Sequence, residues 1–171
     1  MDKFMLILRM LHILLGVFWA GTIFFLVIFL GPSIQAAGPD GAPVMRELLR
    51  RRFLDVMPVV AGITILSGLI LYWSLSGGMA MGWMRSPFGI YLTVGGVASV
   101  LAFIIGVFGV RALTLRAGGL TAALASVPDD QERERMQAEI QRVRQRSAAS
   151  ARWVARLLII AVATMAVARY M

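Results

Sequence analysis

The stretch MLHILLGVFWAGTIFFLVIFLGPSIQ, residues 10–35, contains no Asp, Glu, Lys or Arg, and His12 is its one ionisable side chain. Crossing the ~30 Å hydrocarbon core of a bilayer as an α-helix takes about 20 predominantly apolar residues. The stretch is also longer than the apolar region of a signal peptide, which has about 7–15 residues, and no Ala-x-Ala cleavage site follows it. It therefore predicts a membrane-spanning helix and not a cleaved leader.

Three further runs have the same character. Residues 56–84 and 86–110 are uncharged, and the shorter apolar run 157–168 needs its flanking residues to complete a span. The sequence thus predicts an all-α fold, a four-transmembrane-helix bundle that forms a single integral membrane domain over residues 1–171. The predicted spans are 6–30, 56–76, 88–112 and 152–170.

The composition excludes several classes of protein. Apolar residues make up 59% and charged residues 15%, with a mean hydropathy of +0.80, which argues against both a disordered chain and a soluble domain. The absence of cysteine excludes disulfides, thiolate metal sites and cysteine nucleophiles. No common hydrolase or nucleotide-binding motif occurs, and no carboxylate falls inside a predicted span. We therefore expect a protein without enzymatic activity.

The 17 lysine and arginine residues are distributed unevenly. Lys3, Arg9, Arg85 and Arg169 lie on one side of the predicted bundle, and the others lie in the two long loops on the opposite side. Loops rich in Lys and Arg stay in the cytoplasm, so we expect both termini on the periplasmic side of a bacterial inner membrane. The net charge of +8 should then attract anionic lipids on the cytoplasmic face, and not nucleic acid.

Helix signals outside the spans predict further structure. A cytoplasmic helix is expected over about residues 127–151, leading into the fourth span without interruption, because no Gly or Pro occurs in residues 129–168. Ser126-Val-Pro-Asp129 resembles a capping box at its start. Glycine and proline should end the first helix at Gly31-Pro32 and the third at Gly118-Gly119. Residues 43–53 are expected to extend the second helix toward its N-terminus.

Small residues recur on one side of the third span, at Gly95, Ser99, Ala102, Gly106 and Gly109. Their spacings of 4, 3, 4 and 3 place them on one helix face. In lipid there is no hydrophobic drive between helices, so small residues that let backbones approach are typical of helix contacts. The pattern predicts a helix-packing surface, either inside the bundle or against another subunit.

His12 shares a helix face with Arg9, Gly16 and Trp19. An imidazole in a membrane span is costly, so it usually has a role or a partner. One interpretation is an axial ligand of a haem or chlorin, with space for the ring at Gly16, a propionate at Arg9, and Met165 or a loop methionine as second ligand. The other is a structural histidine that is hydrogen-bonded to a neighbouring helix.

Three methionines, Met79, Met81 and Met84, follow the second span within six residues. Thioethers are soft ligands that suit Cu(I), and His12 lies on the same predicted side of the membrane. The sequence therefore offers a candidate copper site. The alternative is that these methionines belong to an interfacial belt together with aromatic residues such as Trp83.

Residues 11–21, Leu-His-Ile-Leu-Leu-Gly-Val-Phe-Trp-Ala-Gly, resemble the first helix of the CopD-like membrane proteins. Gly31-Pro32, the arginine-rich stretch 46–52 and Ile-Leu-Ser-Gly-Leu at 65–69 are similar to a small uncharacterised four-helix branch of that group. The four-helix membrane protoporphyrinogen oxidases share a similar histidine in helix one. The resemblance implies a bundle with a haem or metal role at His12, although this chain lacks the lysine of the oxidases' third helix and has no second histidine.

These features lead to two main hypotheses. The first is a non-enzymatic accessory or structural subunit that docks to a larger membrane complex, of respiratory or photosynthetic type, or associates with itself. The second is the binding or handling of haem, chlorin or copper through His12. A small transporter is a third, but no charge inside a span and no broken helix predict a substrate site for it.

Overall fold

The computed structural model describes residues 3–171, except for the side chain of Pro39. The described part of the chain is 89% helical and contains no β-strand, which confirms the all-α prediction. Four of its helices are long and apolar enough to cross a membrane, which is the pattern of a multi-pass membrane protein. The helices are α1 (Lys3–Ala36), α2 (Ala42–Arg50), α3 (Phe53–Leu75), α4 (Met81–Met84), α5 (Pro87–Leu124) and α6 (Asp130–Ala168).

α1 continues through Gly31-Pro32, where the sequence predicted its end. A π-helical turn over Leu26–Leu30 precedes the proline, and the Gly31 N–H donates to the Leu26 carbonyl to close it. A proline inside an α-helix lacks an N–H, and its ring clashes with the carbonyl four residues earlier. The wider π turn gives the ring of Pro32 room, so the helix runs on to Ala36.

α5 also passes its predicted end, because Gly118-Gly119 does not break it. Each glycine in a helix interior costs about 1 kcal/mol relative to alanine. α6 packs along this segment and buries Ile140 and Val143 there, which offsets that cost. The third predicted span and the segment beyond it are therefore one continuous helix, with a π-helical stretch at Ile105–Arg111.

Residues 43–53 do not extend the helix that follows them; most of them form the separate helix α2. The break lies at Arg52, whose φ of 59° is left-handed. A left-handed residue with a side chain costs about 1–2 kcal/mol. The bonds around it offset this cost: the Arg52 N–H donates to the Leu49 carbonyl, and the Arg52 carbonyl accepts from the Asp55 N–H that begins α3.

The N-cap of α6 is Asp129 and not Ser126, the first residue of the predicted capping box. The Asp129 carboxylate accepts a hydrogen bond from the Glu132 N–H at 2.9 Å, whereas the Ser126 hydroxyl donates to the Ala123 carbonyl. Asp is one of the strongest N-cap residues, so Asp129 caps the helix without a capping box. From there α6 runs for 39 residues without a break, and the protruding helix and the fourth span are one element.

The bundle consists of two antiparallel pairs, α1 with α3 and α5 with α6. The pairs meet in a core to which each of the four long helices contributes, formed by Trp19, Ala20, Ala61, Ala102, Val154 and Leu158. At 1.5 Å per residue, the 38 residues of α5 and the 39 of α6 exceed the length needed for a bilayer. The α5–α6 hairpin therefore extends about 20 Å past Arg111, at the arginine-rich end of the bundle.

Candidate functional site

The imidazole of His12 lies against α3. Its Nδ1 is 2.8 Å from the Thr64 carbonyl oxygen and 3.3 Å from the Ser67 hydroxyl, and the side chain is half-buried. A carbonyl oxygen only accepts, so Nδ1 carries the proton and donates it to Thr64. In the neutral ring Nε2 then holds a lone pair, and it forms no hydrogen bond with the described residues.

Gly68 makes this approach possible. A Cβ at Gly68 would lie 2.7 Å from Cε1 of His12 and 3.1 Å from its Nδ1, closer than atoms pack. The ring therefore occupies the space that any side chain at this position would take. The hydroxyl of Ser67 donates to the Ile63 carbonyl at 2.8 Å and that of Thr64 to the Val60 carbonyl at 2.9 Å, so both turn toward their own helix.

The residues expected to accompany His12 lie in four different places. Gly16 faces α3, where a Cβ would touch the Thr64 methyl at 3.5 Å, so its small size serves helix packing in this structure. Arg9 is exposed, and Trp19 is buried in the core. Met165 lies against Gly95 at the contact between α5 and α6, whereas His12 lies against α3.

The methionine loop is organised around an aromatic residue. Trp83 packs edge-on against both Tyr72 and Phe88, with ring centroids 5.2 and 5.7 Å apart. Met79 and Met81 are exposed, Met84 is half-buried, and the Met79 N–H donates to the Ser76 hydroxyl. The described residues contain no group of three or more His, Cys, Asp or Glu that could hold a metal, so a copper site would rest on thioethers.

The small-residue surface of α5 packs against α6 at three of its five positions. A Cβ at Gly95 would lie 3.2 Å from the Ala161 carbonyl, one at Gly109 would lie 2.7 Å from the Ser150 hydroxyl, and Ala102 is fully buried. Ser99 is half-buried and donates to the Gly95 carbonyl. A Cβ at Gly106 would meet nothing within 4 Å. Gly106 sits in the π-helical stretch, where the turn takes an extra residue and the regular spacing no longer holds.

Ion pairs tie the arginine-rich end together. Arg111 donates to the Asp55 carboxylate at 2.9 Å and to the Leu54 carbonyl, which joins α5 to the start of α3. On α2, the Arg50 guanidinium holds the pKa of Glu47 below its ordinary value, and Glu47 raises the pKa of Arg50 in return. Both groups of that pair are exposed, so its effect on stability is small.

Chemically, His12 offers one free imidazole nitrogen, held in place by a backbone hydrogen bond. Metal-ligating histidines show the same arrangement, in which the second nitrogen donates to a carbonyl. A purely structural histidine gains the same hydrogen bond between helices. No family model matches this chain, and no curated protein or solved structure is similar to it.

Proposed function

We propose that this chain is a non-enzymatic subunit of a bacterial inner membrane that docks to a larger membrane complex. The observation that carries the proposal is the α5–α6 hairpin, which extends about 20 Å past the Arg111–Asp55 ion pair. Four spans alone do not need such an extension in order to insert. A structured rod outside the bilayer is suited to contact with a second protein.

The hairpin has the properties of a stable element. Ile140 and Val143 are buried between its helices, and Arg116 donates to Glu139 across it at 2.6 Å. The outward residues of its α6 arm are mostly charged or amide side chains, which suit a polar partner, whereas its α5 arm exposes Leu115 and small residues such as Ala122 and Ala123. The excess of arginine at this end favours a cytoplasmic hairpin and periplasmic termini. The CopD-like resemblance of residues 11–21 agrees with a small four-helix membrane protein.

The docking proposal is tested by the mass of the native particle. The tagged full chain is extracted from its own membranes in mild detergent, and its mass is compared with that of the double variant Glu134→Arg/Arg135→Glu. We expect the wild type to migrate with a larger complex and the double variant to migrate as the free subunit. Met81→Ser, an exposed change at the opposite end, should remain in the complex. A wild type that migrates as a free monomer would refute the proposal.

A second candidate function is the ligation of a haem, chlorin or copper by His12. The specific observation in its favour is that Nδ1 donates to the Thr64 carbonyl at 2.8 Å, which leaves the Nε2 lone pair for a ligand. For a haem or chlorin, Arg9 would lie about one turn away on the same helix. For copper, the thioethers of Met79, Met81 and Met84 are the further candidate ligands.

Substitution of His12 separates ligation from a structural role. Glutamine keeps a donor and an acceptor but is a poor metal ligand. Ligation predicts that purified wild type carries a stoichiometric pigment or copper and that both His12→Ala and His12→Gln lose it. A structural role predicts that His12→Ala lowers the free energy of unfolding by about 1 kcal/mol or less and that His12→Gln restores it. A wild type with no absorbance band and no copper excludes ligation.

A further inference from the structure

A column of arginines follows one side of α6 into the membrane-spanning part. Arg142, Arg146, Trp153 and Arg156 share a helix face with Ala149, and Arg152 lies beside them. The four arginines and Trp153 are all exposed on the surface of the bundle. We call Arg142, Arg146, Arg152 and Arg156 the arginine column.

The charges of this column are not neutralised within the protein. Elsewhere on the hairpin, two arginines have carboxylate partners: Arg116 pairs with Glu139, and Arg133 pairs with Asp130. Among the described residues, no carboxylate lies within 4 Å of any arginine of the column. Four like charges on one side of a helix repel each other and attract an anion from outside.

Arg156 lies deeper in the membrane-spanning part of the bundle than the Arg111–Asp55 ion pair. The Ser147 hydroxyl donates to the Val110 carbonyl at 3.3 Å, next to the Arg111–Asp55 ion pair. At 1.5 Å per residue, the Cα of Arg156 is roughly 13 Å further into the span than that of Ser147. Side chains of a helix tilt toward its N-terminus, so the guanidinium of Arg156 is directed back toward the arginine-rich end.

The aromatic ring of Trp153 lies along that path. The Cζ of Arg156 is 4.8 Å from the centre of the ring, a cation–π contact. Tryptophan prefers the depth at which headgroups meet hydrocarbon. Below Arg156 the surface of α6 is apolar, with Ile159 and Ile160 exposed. Along α6, the arginines and Trp153 are thus followed by an apolar surface. A phospholipid has the same order, with a charged headgroup followed by apolar acyl chains.

We propose that Arg152, Trp153 and Arg156 bind the phosphodiester headgroup of an anionic phospholipid, with its acyl chains along Ile159 and Ile160. The guanidinium fork matches phosphate oxygens bidentately. A guanidinium at the edge of the hydrocarbon region without an anion is unfavourable, and a lipid phosphate supplies that anion at the same depth. Arg142 and Arg146 lie on the α6 arm of the hairpin and add long-range attraction for the same leaflet.

The test is a lipid titration of the full chain in detergent, followed by native mass spectrometry. Phosphatidylglycerol is compared with phosphatidylcholine of the same acyl chains. We expect one phosphatidylglycerol to bind preferentially and Arg152→Gln/Arg156→Gln to weaken its binding by about fivefold for each arginine removed. Trp153→Leu, which keeps both charges, should weaken it by a smaller factor.

Arg169→Gln is the matched control, because Arg169 also stacks on an aromatic ring, that of Tyr170 at 5.4 Å, at the other end of α6. It should leave the affinity for phosphatidylglycerol unchanged. Three results would overturn the site: equal affinity for both lipids, equal weakening by Arg169→Gln, or unchanged affinity in the double variant. Competition by millimolar inorganic phosphate would show a free-anion site and would also overturn it. Helical content by circular dichroism confirms that each variant is folded.

Discussion

At the scale of single residues, the contact between His12 and Gly68 leaves no room for a side chain at position 68. We expect Gly68→Ala to lower the free energy of unfolding by about 1–3 kcal/mol, because its Cβ would meet a ring pinned by the Thr64 carbonyl. Gly62→Ala, on the same helix but in open space, should be neutral or stabilising by up to about 1 kcal/mol. Unfolding of the full chain in detergent measures both.

The same pair permits a double-mutant cycle. In a His12→Ala background the space opposite Gly68 is empty, so Gly68→Ala should lose most of its cost. If Gly68→Ala is equally destabilising in both backgrounds, the clash with His12 does not explain its effect.

The sequence predicted a role or a partner for His12, because an ionisable group in an uncharged run stands out, and the structure shows a hydrogen-bond partner on α3. The sequence did not identify Gly68, Thr64 or Ser67 as the surroundings of His12. The hydroxyls of Thr64 and Ser67 bond to their own helix, and the Thr64 carbonyl also accepts from His12. Spacing within one helix does not reveal which helix lies opposite, so the partner of His12 could not be predicted.

At the scale of helices, the contact between α5 and α6 depends on which glycine is replaced. Gly95 and Gly96 are neighbours, yet a Cβ at Gly95 would press on the backbone of Ala161, and one at Gly96 would meet nothing within 4 Å. We expect Gly95→Ala to destabilise the protein by about 1–3 kcal/mol and Gly96→Ala to have no cost. Thermal unfolding in detergent compares them, and equal midpoints would contradict close packing at Gly95.

Helix identity was more predictable than helix ends. Long uncharged runs predicted three spans and a shorter apolar run predicted the fourth, since hydropathy does not depend on the partner helix. The ends were wrong at Gly31-Pro32 and at Gly118-Gly119, where a π turn and the packing of α6 outweigh the local tendency to stop. The small-residue surface was predicted at Gly95, Ala102 and Gly109, but the π-helical stretch changed the position of Gly106.

At the scale of the whole molecule, the proposed orientation in the membrane rests on where the arginines lie. The chain has no cysteine, so single cysteines at the exposed positions Met81 and Gln131 can be labelled without background. We expect Met81→Cys to react with an impermeant maleimide from the periplasmic side and Gln131→Cys to react only after the membrane is opened. Labelling of Gln131→Cys in intact spheroplasts would show that the hairpin lies on the periplasmic side, opposite to the proposed topology.

The hairpin also sets a distance. Its tip, between Leu124 and Asp130, is joined to the membrane by two continuous helices, and neither contains a flexible linker. A flexible chain of the same number of residues would let a bound protein sample a broad range of heights above the bilayer. Two packed helices hold it at one height, about 20 Å from the Arg111 level. A protein bound at this tip would thus be kept at a fixed standoff from the lipid surface, and inserting or deleting matched helical turns in both arms would raise or lower it by about 5.4 Å per turn.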